Sequence, residues 1–213
     1  ASSPLPVTIR TLDLGGDKVL GSSDRVKEDN PFMGFRAIRF CLRNQDVFLT
    51  QLRAILRASA FGKVKIMFPM ISGVGEMLSA RETLDEAKTQ LEKRGEAFDP
   101  QTPVGCMIET PAAVTICDLL AEYSDFFSIG TNDLVQYLLA VDRINNQIAY
   151  LYEPHHPAVI RAMGHVAEVG RQKGVEVSVC GEMAGDPHFT ALLMGLGIDE
   201  MSVTPPLIPE LKF

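Results

Sequence analysis

The chain has 213 residues, of which 46% are hydrophobic and 22% charged, with a net charge of −7. That is length for one domain, residues 1–213, with a sizeable core, and the composition is that of an ordinary globular protein. The acidic balance and the absence of a basic run exclude nucleic acid as the default partner.

No apolar run approaches the ~18–20 residues of a membrane helix, and no signal-peptide pattern opens the chain, so a cytoplasmic protein without membrane insertion is expected. Cys41, Cys106, Cys117 and Cys180 form no Cys-x-x-Cys pair. Their spacing argues against a zinc site or a redox pair and for reduced thiols.

In chain order, Val7–Leu12 is β-branched and reads as a strand. Asp13–Lys18 reads as a loop, and Gly21–Pro31 is polar and turn-rich without periodicity. Arg36–Arg39 is expected as a short strand. A helix follows over Asp46–Ala60, with Gly62 as its cap. Val64–Pro69 is the next strand, and a long helix runs over Val74–Lys93 to Gly95. Val104–Glu109 is a strand, and Thr110-Pro111 opens a helix with Thr as cap and Pro at the first position. Phe126–Gly130 is a buried strand that runs into a helix reaching about Val141. After an irregular stretch, residues 142–154, a helix covers His155–Lys173, and Val175–Cys180 is a strand. Asp186-Pro187 begins a helix ending near Gly197, and Glu200–Val203 is a last short strand. Met67, Met70, Met183 and Met194 are expected as core filling.

Strand–helix alternation without hairpin dipeptides predicts a parallel sheet with right-handed crossovers. The nearly continuous apolar strands fit a sheet covered on both faces. Seven strand candidates in 213 residues, against eight strands in ~250 residues, predict an α/β fold of the (β/α)8 TIM-type barrel, incomplete by one strand and a terminal region. Polar residues gather at strand C-termini, where such a barrel has its one mouth. Arg10, Glu109, Asn132, Asp133 and Cys180 stand at these ends. Carboxylates, an amide, an arginine and a thiol together point to an anionic substrate with a hard divalent cation. Taken singly each has a plainer reading: Arg10, Arg36 and Arg143 as ion pairs, Asp133 and Glu109 as helix-terminus charges, Asn132 as a helix cap, and Cys180 as a core thiol. His155-His156 reads as a loop-to-helix junction rather than a metal pair.

The stretches Ile9–Lys18, Asn30–Arg39, Val104–Ala113, Phe126–Tyr137 and Cys180–Asp186 resemble, in order and with matching gaps, enzyme I of the bacterial sugar phosphotransferase system. That family consists of phosphoenolpyruvate–protein phosphotransferases, and the resemblance is to their C-terminal phosphoenolpyruvate-binding barrel. It implies that Arg10, Arg36 and Arg143 hold the phosphate and carboxylate of phosphoenolpyruvate, with Asn132 as a phosphate-binding amide. It implies Glu109 and Asp133 as ligands of Mg²⁺, and Cys180 as the acid that protonates the enolate carbon. The implied partners are a phosphohistidine domain of the same enzyme, the histidine-containing phosphocarrier protein that serves sugar uptake, and a second copy in a homodimer.

Two departures stand out. The family's Gly-x-x-x-x-Arg-Thr-Glu stretch has no counterpart here, and none of His155, His156, His165 and His188 lies in the acceptor-histidine context. The resemblance therefore implies a fragment, short of the barrel's first strand and C-terminal helices and unable alone to complete the transfer. The alternatives are a nitrogen-type regulatory paralogue that senses phosphoenolpyruvate and a barrel like that of pyruvate phosphate dikinase or phosphoenolpyruvate synthase. The Leu12–Lys18 stretch favours enzyme I over the dikinases.

Overall fold

The computed structural model describes residues 5–13 and 28–212. The predicted loop beyond Asp13 and most of the turn-rich stretch before Pro31 lie outside the described residues. The chain forms two compact units, Ala1–Gly105 and Cys106–Phe213.

In the first unit, β1 (Val7–Arg10) pairs in parallel with β2 (Val64–Phe68), Arg10 standing level with Met67. Between them lie α1 (Ala37–Arg43) and α2 (Gln45–Ser59), and after β2 comes α3 (Val74–Arg94). Phe48, Leu52, Ile55 and Leu56 put the buried face of α2 at helical spacing. Phe48 meets Phe68 of β2 edge-to-face at 5.9 Å. Gly95 ends α3 in the left-handed conformation, φ 66°, as expected of a glycine cap.

Two expectations fail in this unit. Arg36–Arg39 is not a strand: Arg36 is the extended residue before α1, whose buried Ala37, Ile38 and Cys41 follow a helical face. The period shows only when the window reaches Cys41. Gly62 does not cap α2, which closes on Ala60 in ordinary right-handed geometry, its N–H bonded to the carbonyl of Arg57. The strands among the described residues are therefore six, not seven.

β3 (Val104–Ile108) crosses the division between the units. Thr110 then caps α4 (Pro111–Thr115), its hydroxyl accepting from the Ala113 N–H at 3.1 Å. Ile116 breaks the helix before α5 (Cys117–Leu120). In the second unit β4 (Phe126–Gly130), β5 (Glu176–Cys180) and β6 (Glu200–Ser202) pair in parallel in that order, with Gly130, Cys180 and Ser202 level. β4 is buried along its whole length. It runs directly into α6 (Thr131–Leu139), which Ala140 closes in the left-handed conformation, one residue before the expected Val141. α7 (Pro157–Lys173) starts at His156, whose Nδ1 accepts from the Ala158 N–H, as a junction residue should.

α8 (Pro187–Leu196) is capped by Asp186, and the short α9 (Ile208–Leu211) follows β6. Met67, Met70 and Met183 fill the core as expected, but Met194 on α8 is 66% exposed. That helix buries only Leu193. No helix among the described residues is long and apolar enough to cross a membrane.

Candidate functional site

Arg10, Glu109, Asn132, Asp133 and Cys180 stand at or just beyond strand C-termini, whereas Arg36 and Arg143 come from the stretches before α1 and after α6. Arg10 ends β1 and Arg36 precedes α1; both turn to Asp13. Arg36, 8% exposed, grips the Asp13 carboxylate with Nε at 3.2 Å and Nη2 at 2.9 and 3.0 Å, and lies 5.8 Å from the Phe32 ring centroid. A fork on a carboxylate fixes both the plane and the charge of the guanidinium. Arg10 is looser, its Nη1 3.4 Å from Asp13 Oδ2 and half its side chain in water. Asp13 is the member that residue types did not flag, although its spacing in Arg10-x-x-Asp13 matches the observed i, i+3 pair.

The second unit holds the other five. Glu109 directly follows β3 and is 2% exposed. Its carboxylate fills the space beside Gly130: a Cβ on Gly130 would come within 2.6 Å of Glu109 Oε2. Gly130 caps α6, so Asn132 is not the cap but lies in the first turn with Asp133. Asn132 Oδ1 accepts from the Glu182 N–H at 2.9 Å. That bond assigns the amide and leaves Nδ2 as its donor end. Asp133, 6% exposed, has Oδ1 3.9 Å from Nη2 of Arg143. The backbone of Arg143 is tied to α6 through Gln136 Oε1 at 3.2 Å.

Cys180, the last residue of β5, is half-buried, unlike the other three cysteines. Its carbonyl accepts from the Thr131 hydroxyl at 2.8 Å, and its Sγ lies 3.7 Å from the Ser128 hydroxyl. Gly181 follows at φ 98°, a conformation that favours glycine. A side chain there would also strike Thr131 Oγ1 and Asn132 Oδ1. Thr131, Asn132 and Gly181 thus staple the start of α6 to the end of β5.

Tyr152 joins this cluster from the irregular stretch before α7, its hydroxyl donating to the Asn132 carbonyl at 3.3 Å. Burial pushes its phenol up, opposed by Arg143 and reinforced by Glu182. Nothing in residue order announces Tyr152, because it is brought in by a segment without periodicity.

The second cluster sets two carboxylates beside an amide, an arginine and a thiol. Two nearly buried carboxylates, Glu109 and Asp133, share one end of the unit, and burial of two like charges is favoured when a cation sits with them. The donors are oxygens, as a hard divalent ion requires. Among the described residues no group of three or more acidic, His or Cys side chains is gathered. Two carboxylates are the number of protein ligands that Mg²⁺ commonly takes, with water and substrate oxygens for the rest of its shell.

Parallel strands joined through helices, with charged and polar side chains gathered near the strand ends, define an α/β protein of the barrel type. Solved structures agree on the fold. A citrate lyase from Burkholderia xenovorans LB400 superposes with a TM-score of 0.59 at 21% identity, over 76% of this chain and 52% of that one. An HpcH/Hpal aldolase/citrate lyase family protein from Burkholderia cenocepacia J2315 gives 0.50 at 17%, over 79% and 77%. At that identity the likeness is one of fold alone.

Sequence comparison is more specific. The chain belongs to the family of the PEP-utilising enzyme, PEP-binding domain, whose model matches residues 1–213. It is similar to proteins named phosphoenolpyruvate-protein phosphotransferase: 52% identical over 199 residues to that of Bacillus sp. (strain S), 50% over 198 to that of Bacillus subtilis (strain 168), and 49% over 210 to that of Cupriavidus necator. These matches cover 93%, 93% and 98% of this chain but 34%, 35% and 36% of the relatives. The chain spans about a third of the length of the curated relatives it matches.

Proposed function

We propose that this chain is the phosphoenolpyruvate- and Mg²⁺-binding domain, residues 1–213, of a phosphoenolpyruvate–protein phosphotransferase. The phosphoryl group passes to a histidine on a separate domain and on to the histidine-containing carrier protein of cytoplasmic sugar uptake. The protein would act as a homodimer. The observation that carries this reading is the cluster of Glu109, Asn132, Asp133, Arg143 and Cys180, in a chain of the PEP-binding family.

In this reading Arg10, Arg36 and Arg143 meet the phosphate and carboxylate oxyanions, and Asp13 holds two of them in orientation. Asn132 donates from Nδ2 to the phosphate. Glu109 and Asp133 hold Mg²⁺, which when bound neutralises phosphate charge. Cys180 carries the proton for the enolate carbon. Phosphoryl transfer depends chiefly on positioning and charge neutralisation, and the bonds from Arg36 to Asp13, from the Glu182 N–H to Asn132 and from Thr131 to the Cys180 carbonyl support the first.

Calorimetric titration with phosphoenolpyruvate tests the reading. Binding is expected in the presence of Mg²⁺, with loss when Mg²⁺ is withheld or Glu109 is replaced (Glu109→Ala). No heat of binding in the unaltered protein with Mg²⁺ overturns it.

A further inference from the structure

Ser128 is a polar residue in the middle of β4, between Phe127 and Ile129, and is 4% exposed. A hydroxyl buried there costs about 1–3 kcal/mol unless bonded. Its partner is Cys180 Sγ at 3.7 Å. The pairing follows from the register. Ser128 stands level with Ser178 and Gly130 with Cys180, so Ser128 and Cys180 are diagonal neighbours on one face.

We propose that Ser128 is a positioning residue for Cys180: its hydroxyl donates to the sulfur, leaves the S–H proton aimed away from β4, and holds the sulfur once that proton has gone. This rests on the reading of Cys180 as proton donor. In that step the S–H bond breaks and a C–H bond forms at the enolate carbon. The C=C electron pair makes the new C–H bond, the enolate oxygen becomes the ketone oxygen, and sulfur keeps the S–H pair as thiolate. A thiol is a weak acceptor, whereas a thiolate accepts a charge-assisted bond. The Ser128 contact therefore strengthens as the proton leaves, which is the differential stabilisation that lowers a barrier. The Thr131 hydroxyl on the Cys180 carbonyl, at 2.8 Å, holds the same residue by its backbone. Both ends of Cys180 are thus held from the segment running from β4 into α6.

A second serine–cysteine pair supplies the control. Ser124 Oγ lies 3.6 Å from Cys106 Sγ, but that thiol is fully buried and pushed up to about 12.

The test is the pH profile of Cys180 alkylation by iodoacetamide in the 213-residue chain, with the modified residue assigned by mass spectrometry. The midpoint is read rather than the rate, because thiolate nucleophilicity rises with its basicity. Ser128→Ala is expected to raise the midpoint by about half to one pH unit, a roughly three- to tenfold smaller thiolate fraction below it. Ser128→Thr and Ser124→Ala should leave the midpoint in place. Ser128→Ala and Ser128→Thr change no charge, so a difference between their midpoints reads the hydroxyl. An unmoved midpoint in Ser128→Ala that melts cooperatively, or an equal shift in Ser128→Thr, overturns the proposal.

A second readout does not need the alanine variant to fold. The Raman S–H stretch of Cys180, isolated by subtracting the Cys180→Ala spectrum, should carry the signature of a sulfur that accepts from a hydroxyl and should change in Ser128→Val but not in Ser128→Thr. A band that is the same in all three proteins overturns the proposal. Neither readout uses phosphoenolpyruvate. Failure of the ligand titration is a separate result and removes the proton-donor role from which the proposal starts.

Discussion

Replacing Gly130 by alanine tests how tightly the end of β4 is built around Glu109. Gly130 lies at φ −84° and ψ 86°, which a non-glycine residue can adopt, so the backbone itself does not resist the change. The resistance is steric. The new methyl would lie 2.6 Å from Glu109 Oε2, 2.9 Å from Glu109 Cβ and 2.9 Å from Met107 Sδ, where carbon atoms do not settle below about 3.0 Å. The carboxylate end could swing aside, but Glu109 Cβ is fixed to the backbone just beyond β3, and Glu109 and Met107 are each only 2% exposed.

Overpacking a closed core costs about 1–3 kcal/mol, and here that strain falls on a side chain assigned to Mg²⁺. Gly130→Ala should therefore lose about 1–3 kcal/mol in urea unfolding followed by circular dichroism. It should also lose Mg²⁺-dependent phosphoenolpyruvate binding in calorimetry. Gly75→Ala is the matched control: nothing lies within 4 Å of a Cβ there, in the first turn of α3. That change should stabilise by about 0.5–1 kcal/mol. A Gly130→Ala protein as stable as wild type, binding ligand unchanged, would refute the reasoning, because Glu109 would then have room the structure denies it.

Other outcomes follow from the same geometry. Gly181→Ala should cost about 1–3 kcal/mol from its left-handed backbone alone, with the clash on Thr131 and Asn132 added, measured by the same unfolding assay. Thr110→Ala removes the acceptor for the Ala113 N–H and should cost about 1 kcal/mol. Native alkylation at pH 8 should label Cys180 and spare Cys41, Cys106 and Cys117, whose burial pushes their thiols up to about 12, 12 and 11, while urea should expose all four. Those three thiols stay protonated in the fold at a pH where the unfolded chain releases their protons. Their contribution is complete below about pH 9 and is lost as pH rises toward 12, so alkaline unfolding should steepen over that range and flatten when the three are replaced by alanine.

The elements most readable from sequence are those whose ends carry their own chemistry. Thr110-Pro111, Gly95 and Asp186-Pro187 mark boundaries by capping, and each falls where the structure puts it. Arg36–Arg39 misleads because four residues are too few to separate a period of two from one of 3.6. Gly62 misleads because a helix can end in right-handed geometry two residues before a glycine.

The site divides in the same way. Side chains attached to strand ends, Glu109, Asn132, Asp133 and Cys180, are legible because the alternation of strand and helix locates those ends. Asp13, Ser128, Thr131 and Tyr152 are not, because their roles are relations: a carboxylate shared by two arginines, a hydroxyl one register step from a thiol, a hydroxyl on a neighbouring carbonyl, a phenol delivered by an irregular segment. These supporting residues hold the recognisable ones in place through direct contacts, and placement is what proximity effects in catalysis depend on. A chain keeping Glu109, Asn132, Asp133 and Cys180 but lacking Ser128, Thr131 or Gly181 would keep the recognisable residue types and lose the contacts that hold them.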